Sequence, residues 1–336
     1  MPKKVNDRLI LAGDIGGTKT ILGLFYRGAN GQPRLLVSRT YPSREATSLT
    51  AILDDFIAYQ PETVVTVCLG VPGAVISNHV HPSNLPWSIS RPALKRRFGW
   101  PALILINDLV ATAHAVRWLN RREIHWLRGQ RRNRQHNLGI IAPGTGLGIS
   151  LLINNWKSSL PVASEGGHLG FAPGDEVEME LWHWLRKQYG RVTLEMVLSG
   201  PGLVNIHTWL TTGRSLPGGY HPENNRLTPK EIVAAAMTGS CPLCATALER
   251  FVIIFGRAAG DLALMGLTLG GIFLAGGIPP KILPALEKDD FLASFDAKGK
   301  LDYLMRRIPV AVITNEKAAL LGAAAVALTE VAGASS

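Results

Sequence analysis

The chain has 336 residues, and 35 Lys and Arg against 25 Asp and Glu give a formal charge of +10. Hydrophobic residues at 46% and charged residues at 18% exclude a disordered chain and allow two domains, or one large one, each with a real core. The surplus charge is local: residues 91–134 hold 11 basic residues against Asp108 and Glu123, a net +9 that leaves +1 for the rest, so a uniformly cationic, histone-like chain is excluded.

The N-terminus, Met1-Pro2-Lys3-Lys4, leads into a short apolar stretch, Leu9 to Ala12, with no signal-peptide core. Residues 9–27 read as a strand, a glycine turn and a second strand. The turn is Gly13-Asp14-Ile15-Gly16-Gly17-Thr18. Gly16 and Gly17 allow backbone N–H groups to approach an oxyanion, and Thr18 adds a hydroxyl. Asp14 at the strand end suits a Mg²⁺ and its waters. The loop lacks both the GxxxxGK[ST] and the GxGxxG pattern, so it is neither a P-loop nor a dinucleotide fingerprint. On its own it also fits a plain hairpin turn.

A third strand fits Arg34–Arg39, and Leu49, Ile52, Leu53, Phe56 and Ile57 predict a helix over Leu49–Tyr59. Val64–Leu69 and Ala102–Ile106 read as buried strands. The second ends at Asn107-Asp108, ahead of a helix expected over Leu109–Leu119. A carboxylate at such a strand end is placed for catalysis in α/β proteins, and Asp108 is the best-placed base for a substrate hydroxyl. The same position suits a helix N-cap, which Asn and Asp both form.

Leu138–Ala142 predicts a strand before a second glycine loop, Pro143-Gly144-Thr145-Gly146-Leu147-Gly148, with strand character resuming at Ile149–Ile153. Two strand–turn–strand units about 130 residues apart suggest two related halves whose loops clamp a polyphosphate. Glu165-Gly166-Gly167-His168, with Glu195 thirty residues on, offers acceptors and a switchable donor suited to a sugar; a structural hydrogen bond is the other reading of His168. Helices are expected at about 176–188, 201–211, 229–238 and 242–269, with a loop or lid at 212–227. Cys241-Pro242-Leu243-Cys244 is a lone CxxC at a helix start and reads as packing, and Cys68 as strand core. The uncharged run Leu262–Ile278 approaches membrane-span length, but its five glycines favour a helix end, a turn and the strand Ile272–Leu274. A third glycine turn, Gly276-Gly277, follows that strand and gives an adenosine moiety a flat place to lie. Pro309–Ile313 predicts a strand, and an alanine-rich helix starts at Glu316.

Taken together, these residues resemble the bacterial glucokinases of the enteric type, in the hexokinase/Hsp70/actin superfamily. The matching stretches are Gly13–Thr18, Ile106-Asn107-Asp108, Gly144–Gly148, Ser164–His168, Leu198–Leu203 and Leu274–Ile278. The resemblance implies an α/β, two-domain actin-like ATPase (ribonuclease H-like) fold with an interdomain cleft. It places a small domain at 1–117 plus 315–336 and a large one at 118–314, and implies a homodimer. It implies ATP-dependent phosphorylation of D-glucose at the 6-hydroxyl, at the entry to glycolysis. Asp108 would match the catalytic base, and Asn107, Asp108, Glu165, His168 and Glu195 the sugar-binding residues. Gly13, Asp14, Ile15, Gly16, Gly17, Thr18, Gly144, Thr145, Gly146, Gly276 and Gly277 would hold ATP, with Asp14 on the Mg²⁺ side, acting through water. No Cys-rich motif follows His168, unlike the related ROK kinases, so no structural zinc is expected.

A hexose kinase with a broader sugar or polyphosphate donor range is the alternative within the class. A sugar-sensing repressor and a partner-driven ATPase are rivals outside it; only about eight residues precede the first strand, against a leading helix-turn-helix. A cytoplasmic location is expected, with no membrane and no nucleic acid as partner. Trp100 and Trp126 flank the arginine runs and do not punctuate them as in a single-strand binder. The basic segment reads as solvated arginine on helix and loop faces, or as a patch that concentrates an anionic donor.

Overall fold

In the computed structural model, which describes residues 9–59, 64–82, 85–129, 135–154, 159–213 and 227–333, the chain forms two compact units. The first comprises residues 1–123, 161–163 and 315–336; the second comprises 124–160 and 164–314.

The first unit is built on a five-stranded sheet in the order β3-β2-β1-β4-β7. Its strands are β1 (Leu9–Ile15), β2 (Lys19–Arg27), β3 (Pro33–Pro42), β4 (Val64–Val71) and β7 (Ala102–Asn107). β1, β2 and β3 form an antiparallel meander, while β1, β4 and β7 run parallel. A small hairpin of β5 (His79–Val80) and β6 (Ile89–Ser90) lies apart from it. Near-continuous apolar runs in β1 and β4 match strands covered on both faces. One face is packed by α1 (Leu49–Ala58), where Ser48 caps the first turn and Leu49, Ile52, Leu53 and Phe56 form the buried stripe. The other face is packed by the C-terminal helix and by α3 (Asp108–Ala115).

The basic segment opens with a helix that the expected elements do not include, α2 (Arg91–Phe98). Ser90 caps it, Pro92 stands in its first turn, and Gly99 ends it in the left-handed conformation. Its single buried residue, Leu94, gives too little periodicity to announce a helix.

The second unit repeats the strand order. Its six strands lie as β11-β10-β9-β12-β13-β8. They are β8 (Ile124–Arg128), β9 (Leu138–Pro143), β10 (Leu147–Asn154), β11 (Ser159–Ser164), β12 (Gly271–Leu274) and β13 (Val310–Ile313). β10 is antiparallel to β9, and β9, β12 and β13 are parallel, as in β2, β1, β4 and β7. The related halves expected from the two glycine turns are therefore visible in topology, with β8 added as an antiparallel edge.

Helices of this unit are α4 (Glu176–Tyr189), α5 (Gly200–Thr208), α6 (Pro229–Thr238), α7 (Pro242–Gly266), α8 (Leu283–Leu286), α9 (Asp289–Asp296) and α10 (Asp302–Met305). The unit's core gathers around α7. Gly256 and Gly260, one turn apart on α7, have no Cβ because the carbonyl oxygens of Phe291 and Phe295 on α9 approach there. α7 ends at Gly266, three residues before the expected end, and Leu267 turns the chain with φ of 43° toward β12. Among the described residues no single helix is long and apolar enough to cross a membrane. The loop expected at 212–227 falls mostly on residues 214–226, outside the described residues.

The final helix, α11 (Ala318–Gly333), belongs to the first unit. A Cβ at Gly322 would overlap the carbonyl oxygen of Ala111, so α11 and α3 touch backbone to backbone.

Several arginines of the basic segment hold the fold. Arg91 donates to Leu103 O at 2.6 Å and to Asn78 at 2.9 Å, and Arg97 pairs with Asp54 at 3.2 Å. Arg128 donates to both carboxylate oxygens of Asp296, at 2.7 and 2.8 Å, and to the carbonyls of Met305 and Ile308. Its guanidinium also lies 5.2 Å from the Phe295 ring centre. The reading of Arg128 as a solvated or donor-concentrating side chain is corrected: each of its three guanidinium nitrogens donates inside the second unit. Arg131, Arg132 and Arg134 lie outside the described residues. Trp100 stacks on Phe98 with ring centres 4.4 Å apart, and Trp126 meets Phe273 edge-on.

Candidate active site

Residues of the first unit meet at the C-terminal edge of its parallel strands. Asp14, Gly70 and Ile106 stand in one register row across β1, β4 and β7, and Val71 pairs with Asn107. Asp14 and Ile106 are thus two strand spacings apart, on the order of 10 Å, with Asp108 two residues beyond Ile106 at the start of α3. Gly70 lies between the first two. A Cβ there would stand 3.2 Å from the Ala111 side chain and 3.6 Å from Asp108 Cα, so α3 packs closely over this glycine and would have to give by a few tenths of an ångström to admit a methyl. Neither the spacing nor the composition singles out Gly70 in the sequence.

Of the two readings of Asn107-Asp108, the structure shows the helix cap, and it falls to the first residue. Asn107 is the N-cap: its Oδ1 accepts from Leu109 N at 2.9 Å and from Val110 N at 3.3 Å, and its Nδ2 donates to Gly73 O at 3.2 Å. Asp108 becomes the first helical residue, half-buried, with Leu109 N also donating to its Oδ1 at 2.9 Å. The helix N-terminus favours negative charge at this carboxylate.

The first glycine loop is a tight hairpin in which Gly16 N donates to Lys19 O at 2.9 Å. Gly17 and Thr18 form its tip, and Thr18 is exposed. Gly13 lies against the Leu69 and Leu22 side chains, which leave no room for a Cβ. Asp14 follows it, and Ile15 is core. Asp14 keeps some solvent access, yet surrounding protein desolvates its carboxyl and pushes it up to about 6, against the lowering effect of Lys19. Lys19 pairs with Glu316 at 3.2 Å. A desolvated carboxylate at a strand end fits a hydrated divalent cation, which would restore the charged form.

In the second unit the remaining candidates converge on one residue, Leu147. The loop closes as Gly144 N donates to Gly146 O at 2.8 Å, leaving Thr145 exposed at its tip. Glu195 Oε2 accepts from Leu147 N at 2.8 Å, and a Cβ on Gly146 would come within 2.6 Å of that same oxygen. On the other side, a Cβ on Gly167 would overlap Leu147 O. The Glu165–His168 segment, a 3-10 turn over Gly166–His168, is thereby seated on β10. His168 and Glu195 are drawn together by a short bridge: Leu194 N donates to Leu169 O at 2.8 Å, and Phe171 N to Val192 O at 3.1 Å. Glu165 and His168 are exposed, and Glu195 is half-buried.

The third glycine turn joins the same group. Gly276 has φ of 84°, and a Cβ there would stand 2.7 Å from Pro143 O. Gly277 borders open space, with no heavy atom within 4 Å of its Cβ position. Gly144 O in turn accepts from Gly200 N at 2.8 Å, tying α5 to the loop. The structure therefore brings together Gly144, Thr145, Gly146, Glu165, His168, Glu195, Gly276 and Gly277 within the second unit. It brings together Gly13–Thr18, Asn107 and Asp108 within the first.

The chain as a whole is similar to known proteins. A family model described as Glucokinase matches residues 11–330. A glucokinase of Caulobacter sp. (strain K31) is 36% identical over 326 residues, 95% of this chain and 94% of that protein. A glucokinase of Yersinia pestis (strain Pestoides F) is 34% identical over 315 residues, 94% and 95% of the two chains. Among solved structures, a glucokinase from an Antarctic psychrotroph superposes with a TM-score of 0.83 at 31% identity, covering 96% of this chain and 99% of that one. A glucokinase from Balamuthia mandrillaris in complex with glucose shares the fold, with a TM-score of 0.81 at 21% identity over 97% and 95% of the chains. With the family model matching residues 11–330 and relatives at 34–36% identity over 94–95% of its length, the chain belongs to the glucokinase family.

Proposed function

We propose that this chain transfers the γ-phosphoryl group of ATP to the 6-hydroxyl of D-glucose, with Asp108 as general base. The observation that carries this reading is Asp108 at the N-terminus of α3: the cap falls to Asn107, leaving the next carboxylate held by Leu109 N–H at a strand end. Membership of the glucokinase family supplies the reaction. A ROK family glucokinase of similar fold, TM-score 0.64 at 21% identity, was solved with glucose and AMPPNP, which supports a sugar and a nucleotide as joint ligands.

Asn107, Asp108, Glu165, His168 and Glu195 bind the sugar hydroxyls. Gly13–Thr18 and Gly144–Gly146 receive the phosphates, and Gly276-Gly277 the adenosine side. Asp108 takes the 6-hydroxyl proton as that oxygen attacks the γ-phosphorus in line. The new O–P bond forms as the β–γ bridging bond breaks, and ADP leaves with the bridging oxygen. Catalysis is mostly positioning and charge stabilisation. Asp14 would hold Mg²⁺ through water, and the ion would supply charge neutralisation at the β- and γ-phosphates. The same reading takes the enzyme as a cytoplasmic homodimer feeding glycolysis. Glucose-dependent ADP release by the purified chain tests it: release with glucose and none without supports the kinase, and glucose-independent release overturns it.

A further inference from the structure

Cys241-Pro242-Leu243-Cys244 reads as helix-start packing in the sequence, and in part it is. Cys241 is the N-cap of α7, and its Sγ accepts the Cys244 backbone N–H at 3.2 Å. Cys244 is fully buried in the core of the second unit. The fold adds a third group that spacing does not reveal. His207, in the last turn of α5 and more than thirty residues upstream, brings a ring nitrogen to the two sulfurs, with all three ligand atoms within 4.8 Å of one another. Among the described residues this is the cluster of three such groups that comes close enough to share an ion.

The chemistry of the three groups is specific. Two thiols and an imidazole form a borderline-soft donor set, which selects zinc over magnesium or calcium. Tetrahedral bonds of about 2.3 Å to sulfur and 2.0 Å to nitrogen put the ligand atoms about 3.5–3.8 Å apart, so closure needs a contraction of at most about 1.3 Å. No hydrogen bond to the His207 ring is found among the described residues. Packing alone explains a buried Cys244; it does not explain an unpartnered imidazole turned toward two sulfurs.

We propose that His207, Cys241 and Cys244 form a Cys2His zinc site with a water completing the tetrahedron. Binding converts two thiols to thiolates and releases two protons to solvent, with no oxidant involved. The site joins the C-terminal turn of α5 to the first turn of α7. The other end of α5 begins at Gly200, which donates to Gly144 of the second glycine loop. Seven residues at 1.5 Å each separate the two ends by about 10 Å. Zinc here fixes the helix on which that loop rests, which gives the ion a route to modulate nucleotide binding. The site itself stands independently of the proposed kinase reaction.

The test uses the full chain, reduced, stripped with a chelator and then titrated with Zn²⁺ or Co²⁺ alone. We expect about one equivalent of zinc per chain retained through gel filtration, a higher Tm with zinc, and a thiolate-to-cobalt charge-transfer band. Cys241→Ser abolishes the band, and His207→Gln weakens zinc at least about tenfold, while both variants keep the stripped protein's circular dichroism spectrum. Absence of stoichiometric zinc, a cobalt spectrum without thiolate character, uptake equal in both variants and wild type, or a Cys241–Cys244 disulfide in the protein as isolated each overturns the site.

Discussion

Glu195 Oε2 accepts the backbone N–H of Leu147 at 2.8 Å, so a carboxylate assigned to the sugar is also a structural part of the second glycine loop. Gly146 is glycine for the same reason: a side chain there would meet that oxygen. On the proposed reading, one residue would therefore link hydroxyl recognition to phosphate-loop shape.

This predicts a split between two substitutions at Glu195. Glu195→Gln keeps an oxygen for the Leu147 N–H and stays within about 1 kcal/mol of wild-type stability, whereas Glu195→Ala strands that N–H and loses about 1–3 kcal/mol. Both variants raise KM for glucose; Glu195→Ala alone also raises KM for ATP. Urea denaturation and two-substrate kinetics read the four outcomes, and equal ATP kinetics in the two variants would dissolve the proposed link.

Asp14 gives a pH-dependent prediction. Its carboxyl rises from 3.8 to about 6 on folding, chiefly by desolvation. The folded chain then holds this proton while the unfolded chain releases it, so the group costs nothing below pH 3.8, costs progressively more through 6, and carries its full cost above. Asp14→Asn should therefore stabilise the ligand-free protein by about 1–3 kcal/mol at pH 7.5, with the gain fading as pH falls toward 4. Denaturation midpoints across that range measure it. The same variant should lose most Mg²⁺-dependent turnover.

The glycine pair after β12 separates packing from ligand space. Gly276→Ala meets Pro143 O and a left-handed backbone, and should cost about 2–4 kcal/mol. Gly277→Ala points into open space, should change stability by less than about 0.5 kcal/mol, and should raise KM for ATP several-fold with KM for glucose unchanged. Unchanged ATP kinetics in Gly277→Ala would remove this turn from the nucleotide site.

Arg128→Gln should destabilise by about 2–4 kcal/mol, because Asp296 and the carbonyls of Met305 and Ile308 lose their donor together. KM for ATP should not move. Thermal unfolding and ATP kinetics on the same preparation check both halves.

Much of this was legible because the informative elements are long or punctuated by glycine. β1 and β2 are apolar runs joined at Gly16-Gly17, β9 and β10 repeat the device at Gly144–Gly146, and α1 shows a clean stripe at Leu49, Ile52, Leu53 and Phe56. Short edge strands such as β8 and β11 leave no such pattern, and α2 hides its one buried leucine among arginines. The helix after Asn107 was expected to reach Leu119 because its apolar residues continue; it ends at Ala115, and the chain turns through Trp118 and Leu119, whose amides donate to Ala115 O. At the site, residue types announced Asp108, Glu165, His168 and Glu195. Gly70 acts only through close backbone approach, and His207 meets the cysteines only in three dimensions, so a linear pattern carries no trace of either; Gly167 and Leu147 stand inside motifs the sequence shows, but the close approach of one to the other appears only in the fold.

The central claim is that Asp108 accepts the proton of the attacking hydroxyl. Rapid-quench turnover of ATP and glucose by Asp108→Asn, beside glucose binding to the same variant by calorimetry, tests it most directly. The account predicts a kcat at least about 100-fold below wild type with the glucose Kd within about tenfold. Turnover near wild type with intact binding would contradict it.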